Sequence, residues 1–257
     1  MITKERQRLI ENYVNKHSFC QVSKLCDLTA TSISTIRRDL IQMERQGMIK
    51  RVRGGVQSVR DFSGDISQRV RFNLNHRDKI RIARSAAENY VHENDTIFLD
   101  AGTTTFEMVP FIARIPGVTL VTNDPETALA SLEKDINTLL IGGKIKEDTH
   151  AAVGQFAQAQ IKTLNFTASF LGANGVDSVS KLTTPDVEEA AVKKLVLTRS
   201  DQAYVLVDSS KIGRHTFATF ADFSEVVIIT NLLSKQQKQA LPEEINLHQV
   251  INIEEKK

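Results

Sequence analysis

"STIRRDLIQMERQGMIKRVRGG", residues 34–55, places two adjacent arginines inside a helical pattern and runs into a basic stretch tipped by two glycines. Ile33, Ile36, Leu40 and Met43 recur at steps of 3, 4 and 3, the spacing of one apolar helix face. Ser32 is a good N-cap for that helix, and Gly47 suits the left-handed position just past its end. At about 100° per residue, Ser34, Thr35, Arg38, Gln42 and Arg45 point away from the stripe, with Arg37 on the flank. Hydroxyls, an amide and guanidinium groups on one face suit base edges and phosphates. "MIKRVRGGVQSV" (48–59) then reads as a two-stranded ribbon turning at Gly54-Gly55, with Lys50, Arg51 and Arg53 along it.

Working outward, Thr3 can cap a helix carrying Leu9, Ile10, Tyr13 and Val14, and a short second helix over 21–28 buries Val22 and Leu25. Three short helices and a basic hairpin make a winged helix-turn-helix, whose third helix enters the major groove while the wing touches the backbone. Charge agrees. Residues 1–60 hold 12 Lys/Arg against 5 Asp/Glu, whereas the remainder holds 21 basic and 26 acidic residues, marking the first segment as the polyanion-binding part. Charge alone fits a solvated basic face equally well, and a purely structural three-helix unit would show the same apolar stripe.

The chain of 257 residues is long enough for two domains, and 41% hydrophobic with 25% charged residues is ordinary for a soluble globular protein. No run approaches the ~18 apolar residues of a membrane span, and the start lacks the apolar block of a signal peptide, so a cytoplasmic protein without membrane contact is expected. Cys20 and Cys26 suit reduced thiols, and histidines at 17, 76, 92, 150, 215 and 248 show no metal-ligand spacing. The polar, aperiodic stretch 57–76 suits a connector. The expected division is a DNA-binding domain over 1–60, a linker over 61–76 and a second domain over 77–257.

In that second domain helices alternate with short, continuously apolar strands. A helix near 79–92 is followed by strands at "TIFLDAG", "VTLVTN", "NTLLIGG", "FTASFLGANGV", "AYVLVD", "EVVIIT" and "LHQVINI", with helices between most of them. The fold class is therefore α/β, a mostly parallel sheet covered on both faces. Ligands of such sheets sit outside the carboxyl ends of the strands. Several strands here end in small polar groups, at Asp100–Thr105, Thr122-Asn123, Gly142–Lys144 and Asp208–Lys211. In "FLDAGTTTFE" (98–107), Gly102 lets backbone N–H groups approach an anion and Thr103, Thr104 and Thr105 add hydroxyls, although a merely capped turn looks similar. The loop is neither a Walker A loop nor a dinucleotide fingerprint. Pro110 should kink or shorten the helix that follows. Thr184 and Pro185 suit the cap and first position of a later helix, where the dipole favours Asp186, Glu188 and Glu189 without any function. Glu189 could instead accept hydrogen bonds from sugar hydroxyls. Lys144 and Lys146 fit solvated surface as well as ligand contact.

The motif of residues 34–55 closely resembles the DNA-binding signature of DeoR-type bacterial repressors over residues 3–58. The chain departs from that pattern at Thr29, Ala30 and Thr31, where the family carries an apolar residue, Asn and Val. The motifs "LDAGTTT", "VTN", "IGGK", Gly154, "EEAAVK" and "DSSKIG" likewise resemble the DeoR-type effector domain over 68–253. That resemblance implies a fold similar to ribose-5-phosphate isomerases and CoA transferases, no cofactor, double-stranded operator DNA as partner, a phosphorylated sugar as effector, and a homodimer or homotetramer. The DNA contacts expected from the helix face and the wing are Ser34, Thr35, Arg37, Arg38, Gln42, Lys50, Arg51 and Arg53. The implied effector contacts are Asp100, Gly102, Thr103, Thr104, Thr105, Thr122, Asn123, Gly143, Lys144, Glu189 and Lys211. "TTPDVEEAAVKK", "GANGVD", "AYVLVDSSKIG" and "FATFAD" look most like the fructose operon repressors of Gram-positive bacteria, which implies fructose 1-phosphate. The rival class is a sugar-phosphate isomerase or transferase with an appended DNA-binding domain. Asp100, Asp208 or Glu189 would then serve as general base.

Overall fold

Helix α3 (Ile33–Arg45) starts where its cap dictates. Ser32 Oγ accepts a hydrogen bond from Thr35 N at 3.4 Å, and beyond the last turn Gly47 takes φ 70°. The computed structural model describes residues 2–17, 19–52, 55–58, 72 and 74–251, which form two units, Met1–Leu74 and Asn75–Lys257. In the first, α1 (Thr3–His17), β1 (Phe19–Gln21), α2 (Val22–Thr29) and α3 precede a hairpin of β2 (Ile49–Val52) and β3 (Gly55–Ser58). Ile36, Leu40 and Met43 close over Ile10, Val14, Leu25, Ile49 and Val56 in one apolar cluster.

Two expectations change here, and one departure from the family pattern gains a conformation. Ile33, placed on the buried stripe by spacing, is 51% exposed, because as the first helical residue it projects past the end of the cluster. The ribbon is a three-stranded sheet, since β1 pairs antiparallel with β3 through Phe19, Cys20 and Gln21. Ala30, where the resemblance has Asn, caps α2 at φ 49°, ψ 42°, a left-handed conformation costing alanine about 1–2 kcal/mol. Arg53, Gly54, the side chain of Lys50 and most of the expected linker lie outside the described residues.

The second unit is built on a seven-stranded sheet in the order β15-β14-β12-β9-β4-β5-β6. Its strands are β4 (Thr96–Leu99), β5 (Thr119–Thr122), β6 (Asn137–Leu140), β9 (Phe166–Gly172), β12 (Ser200–Leu206), β14 (Val227–Asn231) and β15 (Leu247–Val250), and every neighbouring pair is parallel. Alternation along β4 shows why both faces are covered. Ile97 and Leu99 join a cluster with Ile82, Ala83 and Ala86 of α4 (His76–Tyr90) and with Val109 and Ile112. Phe98 joins the opposite cluster with Ile161 of α8 (Gln155–Ile161) and Val192 and Val196 of α9 (Val187–Thr198).

The remaining elements are α5 (Thr103–Phe106), α6 (Val109–Ile112), α7 (Pro125–Leu132), α10 (Lys235–Gln239), a hairpin of β7 (Lys144–Ile145) and β8 (Ala152–Val153), and β10 (Gly175–Asp177), β11 (Lys181–Thr184) and β13 (Ala218–Ala221). Pro110 does interrupt its helix, which breaks into α5 and α6 with the proline in the first turn of the second. Thr184 is not a cap. It ends β11, and Asp186 caps α9 by accepting from Glu189 N at 2.9 Å. The small antiparallel sheet β10-β11-β13 was not expected. No described helix is long and apolar enough to cross a membrane, and no group of metal-ligating residues occurs among the described residues.

Candidate functional sites

On α3 the side chains of Ser34, Arg37, Arg38, Gln42 and Arg45 are exposed, and Thr35 is half-buried. Ser32 Oγ lies 3.0 Å from both Ser34 Oγ and Thr35 Oγ1, fixing the hydroxyls at the start of the helix. Gln42 Oε1 accepts from Gln7 Nε2 of α1 at 3.2 Å. Arg51 N donates to Glu44 Oε1 at 2.8 Å, and its guanidinium lies 3.7 Å from Glu44 Oε2, so the wing begins tied to α3. The aspartate of the Arg-Arg-Asp run faces inward. Asp39 is 4% exposed, and Arg6 of α1 reaches it through Nε–Oδ2 at 2.5 Å and Nη2–Oδ1 at 3.3 Å. An isolated charge there would cost several kcal/mol, so the pair holds α1 against α3. Position 39 lies one step from Leu40 on the stripe, which is the only trace of this in the sequence.

The second site lies along the carboxyl edge of the parallel sheet, where β12, β9, β4, β5 and β6 end side by side. Asp100, just beyond β4, is 3% exposed. Its Oδ2 accepts from Gly172 N at 3.0 Å and from Lys193 Nζ of α9, itself 4% exposed and 5.6 Å from the Phe220 ring. Burial pushes the Asp100 carboxyl up, against the opposing pull of the Lys193 ammonium and the Gly172 N–H. Gly102 has extended backbone at φ −179°, so it is not required for a left-handed turn, and a Cβ there would meet Thr105 Oγ1 at 3.0 Å. Thr103 Oγ1 accepts from the buried Lys79 Nζ at 2.9 Å. Thr104 borders the same loop. Thr105 is turned inward, with Oγ1 within 2.7 Å of Asp100 O and 2.8 Å of Gly102 O.

At the end of β5, Thr122 Oγ1 accepts from Asp124 N at 3.1 Å. Asn123 Oδ1 accepts from Ala101 N at 3.0 Å and its Nδ2 donates to Ala152 O at 3.3 Å, joining three strand-end segments. Gly143 is a glycine because a Cβ would sit 2.7 Å from Val153 O, closing the space in which β8 approaches. Lys144 is exposed and pairs with Glu188 Oε2 at 3.2 Å, while Lys146 pairs with Asp186. Burial alone would raise the Asp186 carboxyl, but hydrogen bonds from Lys146 and the Glu189 and Glu188 N–H groups outweigh it and hold the carboxyl below its ordinary range. Glu189 is 8% exposed with both oxygens engaged, accepting from Thr149 Oγ1 at 2.6 Å and Thr184 Oγ1 at 3.1 Å. Lys211 closes the short turn Ser209–Lys211, capped by Asp208 through Ser210 N at 3.0 Å.

The structure thus brings the strand-end residues to one edge, but it divides them. Asp100, Thr103, Thr105, Thr122, Asn123 and Glu189 direct their polar atoms to the protein, and Thr104 is buried, whereas Gly102 and the 209–211 turn are half-buried. The sequence carries no local sign of the roles of Lys79, Lys193 and Thr149, since their partners lie 24, 93 and 40 residues away.

Residues 6–62 match the DeoR-like helix-turn-helix domain, and residues 74–231 match the DeoR C-terminal sensor domain. The chain is 38% identical over 230 residues to the uncharacterized HTH-type transcriptional regulator FruR of Bacillus subtilis, covering 90% of this chain and 91% of that protein. It is 29% identical over 238 residues to a lactose phosphotransferase system repressor of Staphylococcus aureus, covering 91% and 94% respectively. Among solved structures, ribose 5-phosphate isomerase A of Methanocaldococcus jannaschii is similar at TM-score 0.40 and 17% identity, over 53% of this chain and 54% of that one. With both units matched, the chain belongs to the DeoR family of helix-turn-helix transcriptional regulators.

Proposed function

We propose that this regulator represses a sugar-utilisation operon and is released from its operator by a phosphorylated sugar held at the carboxyl edge of the sensor sheet, fructose 1-phosphate being the leading effector. The observation that carries this is that the Thr103-Thr104 loop and the Lys211 turn follow strands of one sheet edge and are bonded to the same turn of α4, through Lys79 and through Asn75 and Asp208, which offers a cation and hydroxyls suited to a phosphate and its sugar. The names borne by the relatives, FruR and lactose phosphotransferase system repressor, point the same way. The effector contacts are Gly102, Thr103, Thr104 and Lys211, with Asp100, Thr105, Thr122, Asn123, Gly143, Lys144 and Glu189 shaping the loops around them. An enzymatic role is disfavoured on physical grounds too, since Asp100, the best-placed general base, is bound to Lys193 and Gly172.

On the DNA side, the contacts are Ser34, Thr35, Arg37, Arg38 and Gln42 on α3, with Lys50, Arg51 and Arg53 in the wing. Two copies are expected, because such helices read half-sites about 34–36 Å apart. Arg38→Ala should cost about 1–3 kcal/mol of operator affinity and relax sequence preference. Lys50→Ala should instead weaken binding to all sequences alike and lower the salt slope by about 1. Competition binding with operator and scrambled DNA at several salt concentrations separates these outcomes, and an Arg38 variant with unchanged preference removes Arg38 from the reading face.

Sensing is tested by titrating operator complexes of the parent and Lys211→Ala with fructose 1-phosphate and competing phosphosugars. A lost charge-assisted hydrogen bond should shift the response of the variant by about 10- to 150-fold in effector concentration. Identical responses would place the phosphate elsewhere, and a parent indifferent to every phosphosugar would end the sensor reading.

A further inference from the structure

The first turn of α4 grips two of the strand-end loops at once. Asn75, its cap, sits in the left-handed region at φ 53°, ψ 30°, and its side chain makes no bond to its own helix. Asn75 Nδ2 donates instead to Asp208 Oδ1 at 2.9 Å, the same oxygen that accepts from Ser210 N and shapes the Ser209–Lys211 turn. The next residue, His76, places Nδ1 3.4 Å from Glu107 Oε1, just past α5. One turn on, Lys79 is 5% exposed and its Nζ donates to Thr103 Oγ1 at 2.9 Å. Positions 75, 76 and 79 are neighbours around the start of one helix. Asn75 is also the first residue of the sensor unit, where the chain leaves the DNA-binding unit.

We propose that Asn75, His76 and Lys79 are positioning residues that hold the 103–107 and 208–211 loops in one arrangement and transmit any change in those loops to the chain segment leading to the DNA-binding unit. The transmission part rests on the effector reading above. An anion bound by these loops acts on Thr103 and on the Lys211 turn, and both are tethered to the same helical turn, so a rearrangement of either loop pulls on residues 75–79 or breaks these bonds. A cap residue that withholds its side chain from its own helix leaves that end dependent on the loops it grips. Because coupling between sites is a reciprocal free energy, operator binding acts back on the loops through the same turn.

The test uses the full-length protein with Asn75→Gly and Lys79→Met. Glycine accepts the positive φ, so Asn75→Gly removes the amide without straining the backbone, while methionine keeps the length of Lys79 without its donor. The first measurement is amide hydrogen exchange without ligand. Phe106 N and Lys211 N, bonded to Gly102 O and Asp208 O, should exchange about tenfold faster in each variant, with α3 unchanged. Parent-like exchange in both loops overturns the clamp. The second is operator affinity with and without saturating fructose 1-phosphate. The parent's ratio, expected at about 5–150, should fall to within about twofold of unity in both variants, with effector-free operator binding preserved. A retained ratio overturns the transmission. A parent with no ratio for this or any other phosphosugar refutes the effector reading, and the exchange rates then decide the clamp by themselves.

Discussion

Asp39→Ala is expected to weaken operator binding by destabilising the N-terminal unit, although Asp39 is turned inward, away from the exposed arginines of α3. The substitution strands the Arg6 guanidinium, 8% exposed, without the carboxylate that meets it at 2.5 and 3.3 Å. Breaking a buried pair from one side costs about 3–5 kcal/mol. A unit of roughly 70 residues has only about 4–10 kcal/mol in total. That loss takes away a large share of its stability, where Arg38→Ala, on the exposed face, should leave folding within about 0.5 kcal/mol of the parent. Calorimetry or circular dichroism on the full chain should show the first unfolding transition lowered for Asp39→Ala and unmoved for Arg38→Ala. Pairing Asp39→Leu with Arg6→Met removes both charges and should recover most of the loss. An Asp39→Ala protein with a parent-like transition and no operator binding would make Asp39 a DNA contact instead.

The second large effect is expected at Asp100 and Lys193, and the two partners should not behave alike. Asp100→Ala leaves an ammonium 4% exposed beside the Phe220 ring and removes the acceptor of Gly172 N, so the sensor unit should lose about 3–5 kcal/mol. Lys193→Met leaves the carboxyl, which burial already pushes up, without the main group that opposes that push. It can take up a proton and remain neutral in place. The sign follows from linkage: a carboxyl whose folded pKa is raised contributes its stability below the unfolded value of about 3.9 and loses it as pH rises through the folded value. Lys193→Met should therefore approach the parent in acid and fall away from it towards neutral pH. Thermal midpoints of both variants between acid and neutral pH measure this, and a pH-independent gap for Lys193→Met would mean that Asp100 stays charged.

The sequence discloses whatever repeats locally. The period of α3 emerges from Ile36, Leu40 and Met43, and the apolar runs of β4, β5, β9, β12 and β14 announce a buried parallel sheet, whose carboxyl edge then follows from topology. Strand β1 is three residues long, too short to show a period, and forms only because β3 offers it an edge. Asp186 displaces Thr184 as the cap of α9 because Thr184 is held in β11 and bonds Glu189, a competition settled by tertiary contacts. Residue types at the strand ends mark a site, but they do not tell which polar atoms face outward. Asn123 and Thr105 have the same chemistry whether they bond a ligand or, as here, three loop segments and the backbone. The Arg6–Asp39 pair spans 33 residues, and its one local trace is the place of Asp39 beside Leu40 on the apolar stripe.

The separation on α3 between inward-facing Ile36, Asp39, Leu40 and Met43 and outward-facing Ser34, Arg37, Arg38 and Arg45 also bears on descent. Most substitutions destabilise a protein, and those that carry it below its stability threshold are purged. Changes confined to the outward set mostly escape that filter, since substitutions at exposed positions usually shift stability by about 0.5 kcal/mol or less. A duplicated copy could acquire a new DNA address one side chain at a time while its inherited core, and the sensor it carries, stayed intact.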